Sequence, residues 1–259
     1  MVDFLNRPSA NVRDPEISPE GPKETEPLDA DIAATNAKLV DDWADDLYNA
    51  SAQEILEWAH TYAPGKLAVT LSMENTVLAE LAKDFLPEAD FLFLDTEYHF
   101  DETLEVADKV EERYPDQKLV RAKAILSREE QNRIYGRALY RTNPTACCRM
   151  RKVEPLAVSL SPYAGWVTGL RRADGPTRAE APALSLDATG RLKISPLVTW
   201  SLDDTDDYID RKELIIHPLT KQGYPSIGCS TCTMPVAEGE DPRAGRWAFS
   251  SKTECGLHE

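Results

Sequence analysis

The sequence predicts an α/β fold built on a doubly wound, mostly parallel sheet, and three observations lead there. Short apolar runs, Lys66-Leu-Ala-Val-Thr-Leu71, Asp90-Phe-Leu-Phe-Leu94 and Gln117 to Ala122, read as buried strands. Between them the apolar positions recur at helical spacing, so strand and helix alternate, as in a sheet covered on both faces. Polar loops, Ser72-Met-Glu-Asn-Thr76 and Asp95 to His99, follow the first two strands at their carboxyl ends. That is where an open α/β sheet holds its ligand.

In order along the chain, residues 1–30 carry Pro8, Pro15, Pro19, Pro22 and Pro27 among charged residues and read as a disordered arm. Residues 31–236 form the α/β domain, and residues 237–259 a mobile C-terminal tail. Ile32, Leu39, Val40, Trp43 and Leu47 mark a first helix. Ser51 caps a second that carries Ile55, Leu56 and Trp58, and both are expected on a sheet edge. The first strand leads through its polar loop to a helix from Val77 to Leu86. The second leads to an amphipathic helix from Asp101 to Tyr114, and the third to a helix capped by Ser127. The chain is expected to be helical from about Pro144. Trp166 to Leu170 reads as a further strand, Arg172 to Pro182 as a mobile polar loop, and Ala183 to Ile194 as a hairpin. Ser201 caps a helix whose acidic first turn suits the helix dipole.

The 259 residues carry 29 Lys and Arg against 45 Asp and Glu, a formal net charge of -16. General nucleic-acid binding through the bulk surface is thereby excluded, and an anionic ligand has to meet a local basic patch. No apolar run reaches the length of a membrane span and no secretory leader is present, so no membrane is expected and the address is cytoplasmic. Four of the five cysteines fall into two pairs, Cys147-Cys148 and Cys229-Ser-Thr-Cys232, and Cys255 stands alone near the end. In a reducing compartment, two pairs and a solitary thiol point to a four-thiolate metal site and a separate nucleophile. Four thiols also satisfy tetrahedral zinc, and that alternative stays open here.

For an anionic ligand, the loop after the first strand offers backbone N–H groups at a helix start, with Ser72, Asn75 and Thr76 adding side-chain hydrogen bonds. Asp95 and Thr96 occupy the matching position after the second strand. Arg171 and Arg172 stand at the end of the strand begun by Trp166. Glu74 and Asp95 would repel an anion, so they are read as orienting hydroxyls or capping helices. His60, His99 and His217 are read as structural.

Taken together, Cys147-Cys148-Arg-Met-Arg-Lys152 with Glu154-Pro-Leu156, Cys229-Ser-Thr-Cys232-Thr-Met-Pro-Val236, Trp166-Val-Thr-Gly-Leu-Arg-Arg172, Leu94-Asp-Thr96 and Glu254-Cys-Gly-Leu-His258 give the chain its likeness. It resembles the assimilatory adenylyl-sulfate reductases of the sulfonucleotide reductase family from about Leu67 to the C-terminus. The resemblance implies a fold like that of the adenine nucleotide alpha hydrolases and a [4Fe-4S] cluster on Cys147, Cys148, Cys229 and Cys232. It implies reduction of adenosine 5'-phosphosulfate to sulfite and AMP, with thioredoxin as electron donor. On this reading Cys255 attacks the sulfate sulfur to give an S-sulfocysteine, with Lys252 and His258 favouring its thiolate. Arg171 and Arg172 meet the phosphosulfate oxygens, and Lys152, one helical turn after Cys148, links cluster and substrate charge. The loop Ser72-Met-Glu-Asn-Thr76 departs from the Gly-rich pyrophosphate loop of related ATP-cleaving enzymes, which argues against ATP pyrophosphatase chemistry. The rivals are reduction of the 3'-phosphorylated nucleotide, a structural zinc protein and a sulfur-transfer enzyme acting on RNA. The acidic surface counts against the last. A homo-oligomer is neither required nor excluded.

Overall fold

A computed structural model describes residues 27–257. Most of the arm expected over residues 1–30 therefore lies outside the described residues, as does His258. Six strands form one sheet: β1 (Leu67–Leu71), β2 (Asp90–Asp95), β3 (Leu119–Lys123), β4 (Gly165–Thr168), β5 (Leu184–Leu186) and β6 (Leu192–Ile194). Their order is β3-β2-β1-β4-β6-β5, and every pairing is parallel except β5 with β6, the expected hairpin. β1 lies between β2 and β4, so the chain winds outward from it in both directions and a crevice opens at the carboxyl ends of these three strands.

Strand periodicity explains why the runs are apolar throughout. Leu67, Val69, Leu71, Phe91 and Phe93 face the larger core, while Ala68, Leu92 and Trp166 face a second core with Leu156, Leu160 and Tyr163. Phe91 and Phe93 are 0% and 1% exposed, and removing each ring from water contributes roughly 2 to 3 kcal/mol. β4 and β6 approach so closely at Gly165 that a Cβ there would lie 2.7 Å from Leu192 Cβ.

α1 (Ala30–Leu47) and α2 (Ala52–Tyr62) precede the sheet. α1 lies against β5, where buried Asn36 donates to the carbonyls of Ala164 (2.9 Å) and Gly190 (3.0 Å), which places it on the sheet edge as expected. α3 (Val77–Phe85), α4 (Asp101–Arg113) and α5 (Arg128–Tyr135) follow β1, β2 and β3. Ser51 with Glu54 and Ser127 with Glu130 form reciprocal caps at α2 and α5.

α6 (Leu139–Thr142), α7 (Pro144–Cys148) and α8 (Glu154–Ser159) follow, with a π-turn over Arg149–Val153 joining the last two. The segment is helical from Pro144 as expected, but the turn is widened. Pro155 explains it: lacking an N–H, it cannot bond the Arg151 carbonyl and its ring crowds that carbonyl. The backbone N–H of Glu154 bonds the Arg149 carbonyl instead.

β4 ends at Thr168, two residues before the expected Leu170. The loop after it, expected to be mobile, folds into two 3₁₀ turns, Arg172–Asp174 and Pro176–Arg178. Ion pairs from Asp174 to Arg171 (2.8 Å) and Arg178 (3.1 Å) hold it. α9 (Leu202–Lys212) carries the Ser201 and Asp204 reciprocal cap. Beyond it, buried His217 donates or accepts at Thr103 Oγ1 (2.9 Å) and accepts from Leu219 N, and burial pushes its pKa down. His217 is thus structural.

Candidate active site

The crevice at the strand ends encloses about 280 Å³ and is lined by residues from every loop that reaches it. After β1 come Ser72, Glu74 and Asn75; after β2, Thr96 and His99; after β4, Gly169 and Arg171. Ile227, Gly228 and Cys229 line it as well, as do Cys255 and Leu257 of the tail.

The loop after β1 is fixed by segments that arrive late in the chain. Asn75 pairs with Ile216 as an isolated bridge, the Glu74 carbonyl accepts from His217 N (2.9 Å), and Glu74 Oε2 accepts from Ile227 N (3.2 Å). Burial pushes the Glu74 carboxyl pKa up. Of the three hydroxyl and amide groups expected at the ligand, Ser72 and Asn75 line the crevice; Asn75 Oδ1 also accepts from Val77 N. Thr76 does not. Its backbone N–H and hydroxyl are taken up by Ile215, and it is 1% exposed.

Asp95 and Thr96 divide in the same way. Asp95 shapes its own turn by accepting from Glu97 N (3.0 Å), lies 3.6 Å from Lys123, and is absent from the crevice wall. Thr96 lines the crevice with its hydroxyl 3.4 Å from Cys229 Sγ.

Arg171 lines the crevice, held by Asp174 (Nε, 2.9 Å) and Thr205 (Nη1, 2.8 Å). Arg172 is turned away: it donates to the carbonyls of Ala181 and Tyr48 and stacks on the Tyr48 ring at 3.8 Å. Arg171 has an extended backbone, and neighbours in extended chain point to opposite sides, so only one of the pair can face the ligand.

Three cations on the crevice wall were not expected from the sequence: Arg178, Arg243 and Arg246. They lie in stretches read from the sequence as a mobile polar loop, residues 172–182, and as the mobile C-terminal tail, residues 237–259. The one sequence signal is their clustering, Arg243-Ala-Gly-Arg246, in an otherwise acidic chain. A bridge between Thr233 and Arg246 brings this segment beside the second cysteine pair. Arg246 Nη1 donates to Ser226 Oγ and the Ile227 carbonyl, both at 3.1 Å, while its buried Nε has no partner among the described residues. The guanidinium lies directly on Gly228, where a Cβ would come within 2.3 Å of Nη2. Gly228→Ala is therefore expected to displace Arg246 and lower kcat/KM by roughly tenfold or more, with the melting temperature little changed because the clash is with a side chain that can swing out. Steady-state kinetics beside thermal unfolding checks both halves.

Cys147, Cys148, Cys229 and Cys232 are buried and free, and all four line a second, much smaller cavity with Tyr98, Tyr140, Arg151 and Trp247. Burial and then the neighbouring thiols push Cys147 up to about 12, and burial raises Cys148 and Cys232 as well. Buried Arg151 is held by Gln131 (2.7 Å) and Glu97 (2.6 Å), and its Nη2, without a partner among the described residues, belongs to this cavity's lining residue. Among the described residues no group of three or more His, Cys, Asp or Glu side chains is spaced to hold a single metal ion.

Lys152, Cys229, Arg246 and Trp247 line both cavities and so form their common wall. Lys152 reaches it from a π-turn, not from the α-helical turn expected. Burial pushes its pKa down, but the thiols of Cys229, Cys255 and Cys148 outweigh that, and the net shift is upward. Cys255 is half-buried, lines the crevice and packs against the cluster of Cys148, Cys229, Cys232 and Trp247. Lys252, expected beside it, lies near Thr145 (3.5 Å) and over Trp247 (5.8 Å).

A cation-lined crevice at the carboxyl ends of a parallel sheet, with a free thiol in its wall, defines an α/β enzyme class that binds an anionic, nucleotide-like ligand. Residues 66–235 match the family model described as phosphoadenosine phosphosulfate reductase domain. The chain belongs to this family. It is similar to the adenosine 5'-phosphosulfate reductase of Rhodococcus erythropolis, 46% identical over 82% of this chain and 90% of that protein. The enzyme of the same name from Mycobacterium tuberculosis is 40% identical over 93% and 99% of the two chains. Among solved structures, phosphoadenylyl-sulfate reductase from Candida auris superimposes with a TM-score of 0.63 at 25% identity, covering 76% of this chain and 97% of that one. The FMN adenylyltransferase of Candida glabrata, TM-score 0.52 at 14% identity over 88% and 84%, shares the fold alone. The fold is thus of the adenine nucleotide alpha hydrolase-like kind, as the sequence implied. No helix among the described residues is long and apolar enough to cross a membrane.

Proposed function

We propose that this chain reduces adenosine 5'-phosphosulfate to sulfite and AMP, with thioredoxin as electron donor, as a cytoplasmic enzyme of sulfate assimilation and cysteine biosynthesis. The observation that carries it is Cys255 in the wall of a crevice also lined by Lys152, Arg171, Arg178, Arg243 and Arg246, in a chain of net charge -16. Sulfo transfer needs a soft nucleophile and cations that neutralise the sulfate and phosphate oxyanions as the leaving group departs. The Cys255 thiolate attacks the sulfate sulfur, the bond from that sulfur to the bridging oxygen breaks, and AMP leaves with the electron pair. A thioredoxin thiolate then attacks Cys255 Sγ, sulfite departs, and the second thioredoxin thiol resolves the mixed disulfide. In this reading Ser72, Asn75 and Thr96 orient the nucleotide, and His258, three residues after the nucleophile in the sequence, keeps its expected role in favouring the thiolate.

Cys147, Cys148, Cys229 and Cys232 are the proposed ligands of a [4Fe-4S] cluster. Four buried thiols without disulfides, an orphaned guanidinium nitrogen on Arg151 and hydroxyls of Thr96 and Thr231 near sulfur fit a thiolate-bound, negatively charged centre. When bound, it supplies fixed negative charge and rigidity behind the common wall. Lys152 is then the cation held between that charge and the substrate's.

The relatives at 40–46% identity carry the name of the 5'-phosphosulfate enzyme, whereas the Candida auris structure carries that of the 3'-phosphorylated one. Kinetics with both nucleotides and reduced thioredoxin decides between them. Sulfite release with kcat/KM for the unphosphorylated 3'-position roughly a hundredfold higher is expected; the reverse order overturns the assignment.

A further inference from the structure

Glu254, the residue before Cys255, is the most heavily anchored side chain of the tail among the described residues. Arg178 grips its carboxylate with Nε (3.0 Å) and Nη2 (2.8 Å), Arg243 Nη2 donates to it at 3.0 Å, and Thr177 Oγ1 at 3.0 Å. Arg243 Nη2 also donates to the Thr253 carbonyl (3.1 Å). Arg178 in turn bonds Asp174, and Asp174 bonds Arg171. An alternating chain of charge, Arg171, Asp174, Arg178, Glu254, Arg243, thus ties the end of β4 to the tail. Burial pushes the Glu254 carboxyl pKa up, but Arg178 and Arg243 outweigh it and hold the group below the usual range, ionised at neutral pH. Other described attachments are weaker or apolar: Lys252 contacts Thr145 at 3.5 Å and lies over the Trp247 ring at 5.8 Å, Cys255 packs against the cluster of Cys148, Cys229, Cys232 and Trp247, and Leu257 packs against the second core.

We propose that Glu254 is a latch: clamped between Arg178 and Arg243 it positions Cys255 at the crevice, and its release opens the tail to a protein partner. The inference rests on reading Cys255 as the nucleophile. Glu254 touches no reacting atom, so it is a positioning residue. Its two arginines also line the crevice, so the latch and an anionic substrate draw on the same cations. Removing the carboxylate therefore lowers kcat without raising KM. The nucleophile is placed less often, and kcat falls; the cations are freed for substrate, and KM does not rise. A merely structural role would not split them in this way.

The test uses the full-length protein and Glu254→Gln, a neutral residue of the same shape. Trypsin cleavage after Lys252, followed by mass spectrometry, reports tail opening without involving thiol chemistry or substrate. Cleavage is expected to be about fivefold faster or more in the variant at low salt. Salt up to about 0.5 M should speed cleavage of the unmodified protein far less than the substitution does, because the paired side chains are only 11% to 20% exposed and such pairs are weakly screened. Cleavage of a peptide with the tail's sequence corrects for salt effects on trypsin. In turnover, kcat of Glu254→Gln should fall roughly tenfold with KM unchanged or lower, and Glu254→Asp should recover part of it. Equal cleavage of variant and unmodified protein overturns the latch; Arg178→Gln, which removes the bidentate partner from the other side, should speed cleavage likewise and keeps the test open where Glu254→Gln fails to fold. Faster cleavage in Glu254→Gln together with undiminished turnover in Cys255→Ser leaves Glu254 as the anchor of the tail but overturns Cys255 as the nucleophile it positions, and with it the proposed mechanism.

Discussion

Cys255→Ser is expected to lower turnover of adenosine 5'-phosphosulfate by about a thousandfold or more while the nucleotide still binds, because a hydroxyl cannot replace a thiolate as the attacking group. Cys255 is half-buried and free, and it is not among the four thiols that share the small cavity. The substitution removes one sulfur in the crevice wall and leaves the cations that would hold the ligand. Iron content should be unchanged. Incubating protein with nucleotide labelled in its sulfate sulfur, without thioredoxin, separates the two halves of the reaction: the unmodified protein should retain label covalently and Cys255→Ser none. Nucleotide affinity, measured by equilibrium dialysis with AMP, should stay within about threefold. Equal labelling of both proteins would sink the assignment of the nucleophile, whatever became of the overall rate.

The strands and their caps could be read from the sequence because both are local. An apolar run of five residues needs only its own composition, and Ser51, Ser127 and Ser201 find their partners three residues away. The cysteine framework could be read because its chemistry lies in residue type. The cations were harder, since convergence is a property of the folded chain. Arg178 meets Glu254 across 76 positions, and Arg246 reaches the crevice through a bridge to Thr233. The errors were local as well. Arg171 and Arg172 are adjacent in the sequence, but extended backbone sends neighbours to opposite sides, and Thr76 belongs to the ligand loop, but Ile215 takes both its polar groups. Pro155 held the clue to the π-turn that carries Lys152. Its missing N–H is visible in the sequence, but its effect on the turn before it depends on the helix continuing past it.

Lys152→Ala carries the other large expected effect, a fall in kcat of roughly a hundredfold to a thousandfold, the usual result of removing one preorganised charge from a reacting centre. Lys152 lies on the wall shared by the crevice and the four-thiol cavity, with Cys148, Cys229 and Cys255 setting its charge state against the pull of burial. Arg171, Arg178 and Arg243 are each engaged by a carboxylate, so part of their charge is already answered inside the protein. Lys152 and Arg246 have no carboxylate within ion-pairing distance among the described residues, but Arg246 is held by Ser226 and the Ile227 carbonyl, which leaves Lys152 as the cation with least of its charge answered inside the protein. Lys152→Arg keeps the charge but brings a broad planar head to a site shaped for a compact ammonium, so it should recover only part of the rate. The effect should fall mainly on kcat, because the four arginines still attract the ground-state anion. A KM increase with kcat intact would show instead that Lys152 binds substrate and transition state alike, and that the common wall holds the ligand without assisting its chemistry.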